Sequence, residues 1–164
     1  MKILQFLILF LTTIPCVIAQ TLTVGPGSGW SVTIPASTIT EAGLDYTQTT
    51  TTSVTNQSLM DVRGGILTNP KVYVQKTDVT WNSNLSLWLR RTGAGTGLAA
   101  VLIAGGTTFQ QITSSPQYFF DIITVAPLTL TSRSNIPIQY EIRGLTVLIP
   151  AQSYTTTILY TVTY

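Results

Sequence analysis

The last eleven residues, Tyr154 to Tyr164, alternate without a break. One set is Tyr154, Thr156, Ile158, Tyr160, Val162 and Tyr164, and the other is threonine throughout except for Leu159. Successive side chains of a strand point to opposite faces. A pattern of this period therefore predicts one long strand with a buried face and a wet face. A final strand this regular is expected to close a sheet.

The same period recurs upstream, and no helical stripe competes with it. Trp30-Ser31-Val32-Thr33-Ile34 alternates and stops at Pro35, after the turn-forming Gly25-Pro26-Gly27-Ser28-Gly29. That turn isolates a short apolar segment, Thr21 to Val24. The threonine-rich stretch from Tyr46 to Val62 reads as one or two solvent-facing strands, with low-complexity disorder as the alternative for Gln48 to Thr52. Gly64-Gly65 reads as a turn. Lys71 to Lys76 is a strand with charges at both ends, and Thr77 to Ser83 is a turn carrying Trp81. In Asn84 to Arg91, Leu85, Leu87 and Leu89 share one face, so Arg90 and Arg91 point to opposite faces.

Leu98 to Ala104 is a continuous apolar run, read as a fully buried strand or one helical turn, and Gly105-Gly106 closes it. Thr107 to Ile112 and Gln117 to Ile122 read as two further strands around the Ser114-Ser115-Pro116 turn. Ile136 to Arg143 is a strand whose Pro137, lacking an amide donor, suggests that it begins at a sheet edge. Leu145 to Ile149 is a short strand ended by Pro150. Nine or ten strands in one domain imply an all-β chain: an antiparallel two-sheet β-sandwich, immunoglobulin-like or fimbrial-like, with a closed barrel as second choice.

The N-terminus reads as a secretory signal over residues 1–19. Lys2 precedes a largely apolar run from Ile3 to Ile14, Pro15 breaks it, and Val17-Ile18-Ala19 occupies the cleavage positions. Residues 20–164 then form a single domain. The run is shorter than the roughly 20 residues a spanning helix needs, so no transmembrane helix is expected in the mature chain. Cys16 belongs to the discarded segment. Lipidation is the other reading of Cys16, but Ile14 and Pro15 before it are not the small residues of a lipoprotein signal. The expected location is secreted, extracellular or at the cell surface, with the periplasm as another possibility.

Cys16 is the single cysteine and there is no histidine. The mature chain must therefore hold together by core burial and strand pairing, without disulfides. Triads built on histidine or cysteine and the usual zinc sites have no residues to use. Only 9% of the residues are charged, and the basic ones form no clustered stripe, which argues against nucleic acid. The paired carboxylates that glycoside hydrolysis requires have one near candidate, Glu41 with Asp45. These read as solvated loop charges, and no regular ligand spacing supports calcium there. Gly93-Ala94-Gly95-Thr96-Gly97 lacks the following helix and lysine of a phosphate loop and reads as a hairpin turn. No catalytic residue, metal or cofactor is expected. The sequons at Asn56 and Asn84 matter only in a glycosylating pathway.

Two surfaces remain as functional candidates. Trp81 and Trp88, with Asp78, Asn82 and Asn84 supplying hydrogen bonds, could form a flat platform for sugar rings. The alternative is that both indoles pack under the second sheet. Strands carrying Leu22, Val24, Tyr154, Ile158, Tyr160 and Val162 could serve assembly, Thr21 to Val24 as a donor to a neighbour's open edge.

The terminal strand, the Arg90-Arg91-Thr92-Gly93 junction and the exported threonine-rich pattern resemble the secreted spore-coat-U and fimbrial-like β-sandwich proteins of bacteria. The pattern is also similar to wall-binding WxL-type domains, without their tryptophan motif. The mature chain lacks the disulfide frequent in the spore-coat-U group. The resemblance implies a non-enzymatic surface or pilus-like subunit and transfers no site residues. The expected function is a secreted structural or adhesive protein that self-associates or joins other envelope proteins. A carbohydrate-binding module, with a glycan as partner, is the alternative, and a small hydrolase ranks last.

Overall fold

The computed structural model describes residues 20–25, 29–35, 43–66, 68–126 and 129–164. The expected signal segment, residues 1–19, and Glu41 lie outside the described residues. Ten strands are present among the described residues: β1 (Thr21–Val24), β2 (Thr50–Thr52), β3 (Ser58–Ile66), β4 (Lys71–Thr80), β5 (Ser86–Arg91), β6 (Val101–Gly105), β7 (Gln110–Gln111), β8 (Gln117–Thr124), β9 (Leu130–Arg143) and β10 (Thr155–Thr163). They form two antiparallel sheets. One has the order β1-β3-β9-β5-β7, with β2 also on β9, and the other β10-β4-β8-β6. The chain is thus all-β, as the alternation predicts, and no described helix is long and apolar enough to cross a membrane.

The sheets share one core. Met60, Val62, Leu87, Leu89, Ile136, Ile138 and Tyr140 come from the first sheet, and Val72, Val74, Val101, Phe119, Phe120 and Ile122 from the second. Each set occupies alternate strand positions, so the pleat alone sorts these side chains inward. Phe119 and Phe120 break that rule. Val72 pairs with Phe120 and Tyr73 with Tyr118, leaving Phe119 as the extra residue of a bulge. The bulge sends two consecutive rings inward, 5.0 Å apart.

Bulges also explain where the expected elements differ from the observed ones. Gly64-Gly65 is not a turn but lies inside β3, where the register against β9 shifts. A side chain at Gly64 would meet Thr68 Oγ1 at 2.5 Å. Nor is β3 solvent-facing: Ser58, Met60, Val62 and Gly64 are buried. β2 comes nearer to the exposed reading of that stretch, with Thr52 exposed and Thr50 and Thr51 half-buried. Pro137 is not at an edge, because β9 runs through the middle of its sheet. Its carbonyl accepts Thr92 N–H at 2.9 Å, just past the last β5 pair, Arg91 with Ile138. N–H and C=O of one strand residue point to the same side, so the donor missing at Pro137 falls where β5 has already ended. Asn135, at φ 55°, forms a bulge in β9 itself, and its N–H donates to Asp61 at 2.7 Å.

β4 continues through Thr77–Thr80, part of the expected turn, because β10 pairs with it along that length. Leu98–Ala104 is neither fully buried nor helical. Its strand portion, which begins at Val101, is an edge with Leu102 exposed, and Leu98 before it is exposed as well. Only Gln110–Gln111 of the expected Thr107–Ile112 strand pairs. Trp30–Ile34 makes no strand: Trp30 and Ile34 are half-buried anchors of an irregular segment. Leu145–Ile149 is a turn, not a strand. It follows Gly144 at φ 88°, where a Cβ would lie 2.1 Å from the Asn84 carbonyl oxygen, so the chain leaves β9 there.

Candidate functional site

One end of the core is left open between the sheets. A cleft of about 560 Å³ is lined by Trp30, Trp81, Tyr140, Tyr154, Ile158 and Tyr160, with Val24, Leu87 and Ile142 among the remaining residues, and none of its described lining residues is charged. Trp30 stacks on Tyr140 with ring centroids 6.3 Å apart and planes at 18°. Tyr140 is fixed from three directions. Its N–H donates to Ser53 Oγ at 2.9 Å, its hydroxyl donates to Ser58 Oγ at 2.9 Å, and that hydroxyl lies 3.1 Å from the Tyr160 hydroxyl. Burial, followed by the neighbouring Tyr140, pushes the Tyr160 phenol well above its ordinary pKa. The cleft thus presents hydroxyl groups and rings with no charged residue in its described lining, which suits an uncharged ligand.

Trp81 belongs to this cleft but Trp88 does not. Trp81 packs against the core, and its indole N–H donates to the Leu85 carbonyl at 2.8 Å. Trp88 sits on the opposite face of β5 from Leu87 and Leu89. There the Arg143 guanidinium covers its ring at 3.8 Å, and its N–H donates to Ser86 Oγ at 3.0 Å. Arg143 is held in turn by Glu141, which also accepts from Thr52 at 3.1 Å. The two tryptophans therefore form no common platform. Asp78 accepts Lys76 Nζ at 2.5 Å and Thr156 Oγ1 at 2.9 Å, binding β4 to β10. Asn82 Oδ1 accepts the Asn84 N–H at 2.9 Å and shapes the β4–β5 turn. Asp78 and Trp81 do border a second hollow of about 340 Å³.

The expected assembly residues lie on the two strands flanking the open end. Leu22 and Val24 turn inward from β1, which pairs with β3 of its own chain. Ile158, Tyr160 and Val162 turn inward from β10, and Tyr154, just before it, donates its hydroxyl to the Pro150 carbonyl at 2.7 Å. Among the described residues β10 pairs only with β4, so its other edge carries free N–H and C=O groups.

The other sheet edges among the described residues are different. β1 has four residues, β2 three and β7 two. β6 has five, and its carbonyls are capped from the facing sheet: Arg91 donates to Gly105 and Ile103, and Arg133 donates to Val101. The alternation of Leu85, Leu87 and Leu89 places Arg91 on the apolar face, a cation in need of acceptors, but nothing local says that β6 supplies them. Trp30 and Tyr140 were missed as cleft residues because a strand reading of Trp30–Ile34 hides the indole's role.

No protein-family model, curated protein or solved structure matches this chain.

Proposed function

We propose that this chain is an exported, non-enzymatic β-sandwich protein of the cell surface or extracellular space, a structural or adhesive subunit that associates by strand addition at β10. The observation that carries the reading is the contrast among the sheet edges. β10 is nine residues long, has neither charge nor proline, and presents a free ladder, whereas the other edges are short or capped. Soluble chains usually blunt such an edge, and one left long and uncharged is a template for another strand. The export reading rests on residues 1–19, and the fimbrial-like character on the threonine-rich pattern. Thr21–Val24, expected as a donor, is occupied with its own β3, so assembly is assigned to β10.

Light scattering and sedimentation of the full chain test this. The wild type is expected to associate with rising concentration. Leu159→Lys and Leu159→Glu, each with an unchanged circular dichroism spectrum, are expected to leave a monomer. A wild type that stays monomeric at all concentrations, or variants that associate as it does, would reject the role.

The cleft favours a second reading, binding of a neutral glycan. It offers the rings of Trp30 and Trp81 and no charged residue in its described lining, which suits stacking against the apolar faces of sugars. Titration with neutral oligosaccharides is expected to quench tryptophan fluorescence, and Trp30→Ala to abolish the response. A response retained in both Trp30→Ala and Trp81→Ala would exclude the cleft.

A further inference from the structure

The side chains that β10 turns to solvent are Thr155, Thr157, Leu159, Thr161 and Thr163. This row reads the same from either end, with Leu159, half exposed at 50%, at its centre. A closed contact between identical chains needs a patch complementary to itself, in which residue i meets j and j meets i. A palindromic row on an antiparallel edge meets that condition.

We propose that two copies of this chain pair β10 against β10, antiparallel, about a two-fold axis through Leu159, making one continuous sheet from the two four-stranded ones. The proposal rests on β10 being the assembling edge and adds the partner and the register. Thr155 then faces the partner's Thr163, Thr157 faces the partner's Thr161, and the two leucines meet on the axis. Threonine pairs and an apolar pair are favourable across strands, whereas like charges directly opposite are destabilising. A two-fold axis through a charged centre would set identical charges face to face, and no charged residue occurs from Tyr154 to Tyr164. On β4, Lys76 and Asp78 neutralise one another at 2.5 Å, and Lys71 stands opposite Thr163 at the end of the row, away from the axis.

The inner row supports the same register. Thr156 faces the partner's Val162 and Ile158 faces the partner's Tyr160. This sets apolar groups beside the mouth of the cleft that Thr156 and Ile158 line. A slip of two residues keeps each row on its face but separates the leucines and shortens the ladder. A slip of one turns the partner's inner row to the opposite side of the sheet. Leu159 thus sets the register that the repeated threonines leave open.

Cysteine cross-linking of the full chain in a Cys16→Ser background tests the arrangement. Leu159→Cys alone is expected to give a disulfide-linked dimer on mild oxidation. Thr155→Cys alone and Thr163→Cys alone are expected to give none, because in this register like positions lie eight residues apart, about 27 Å. A mixture of those two variants is expected to give the mixed dimer. Thr157→Cys mixed with Thr161→Cys repeats the test with Leu159 intact, should its replacement weaken the pair. A dimer by light scattering that cross-links through Thr155→Cys alone, or through none of these positions, would overturn the two-fold register while leaving β10 or another edge as the contact. A monomer under all conditions would overturn both the register and the assembly role.

Discussion

Arg91 is buried at 7% exposure, on the same face as Leu87 and Leu89, with no carboxylate among its hydrogen-bond partners. Its guanidinium is spread over the carbonyls of Gly105, Gly93 and Ile103. Desolvation lowers its pKa from the ordinary value, although a guanidinium remains charged at any ordinary pH. Arg91→Met keeps the aliphatic bulk but leaves buried acceptors unmet, so a loss of about 2–3 kcal/mol is expected. The shift of a urea midpoint would measure it, and an unchanged midpoint would mean that water replaces the guanidinium. The position of Arg91 on the apolar face was legible from the leucine period. Two of its three partners, Gly105 and Ile103, were not, because they lie 14 and 12 residues away on the other sheet. Trp81 and Trp88 show the same division. The residue types marked them as candidates, but only the neighbours decide between a cleft wall and a ring already covered by Arg143.

At the scale of elements, periodicity was reliable where a strand is regular. β10 and β5 follow the expected inner and outer rows. It failed where the register changes or no neighbour receives the backbone. Gly64-Gly65, Asn135 and Phe119 each add a residue that pattern counting treats as a turn or ignores. Trp30–Ile34 alternates but pairs with nothing among the described residues. The Leu145–Ile149 turn is organised instead by Asp45. That carboxylate accepts Thr146 Oγ1 at 2.7 Å and the amides of Val147 and Tyr46 at 2.8 Å each. These bonds, the one from Thr146 foremost, hold the Asp45 carboxyl below its ordinary pKa. A depressed carboxyl stabilises the fold above its unfolded value of about 3.9 and loses that contribution as pH falls through the folded value. The Val147 amide resonance is therefore expected to stay constant down to about pH 4 and to move below it. In Asp45→Asn that acid transition should vanish. A Val147 titration centred at or above the ordinary carboxylate value would contradict the bonding described.

For the molecule as a whole, the two-sheet architecture followed from strand number and alternation, but strand order did not. β1 beside β3 and β10 beside β4 join segments far apart in sequence, and no local signal encodes such partners. The open end of the core was equally hidden, since it depends on which strands fall at the margins. The arginine lids on β6 carry a further consequence. A sheet whose far margin is closed by guanidinium groups can lengthen from one side only, so growth stops once a single neighbour has been added there. Filaments of this chain would have to be joined through faces or loops, and strand-by-strand fibrillation of the four-stranded sheet is blocked at its second end.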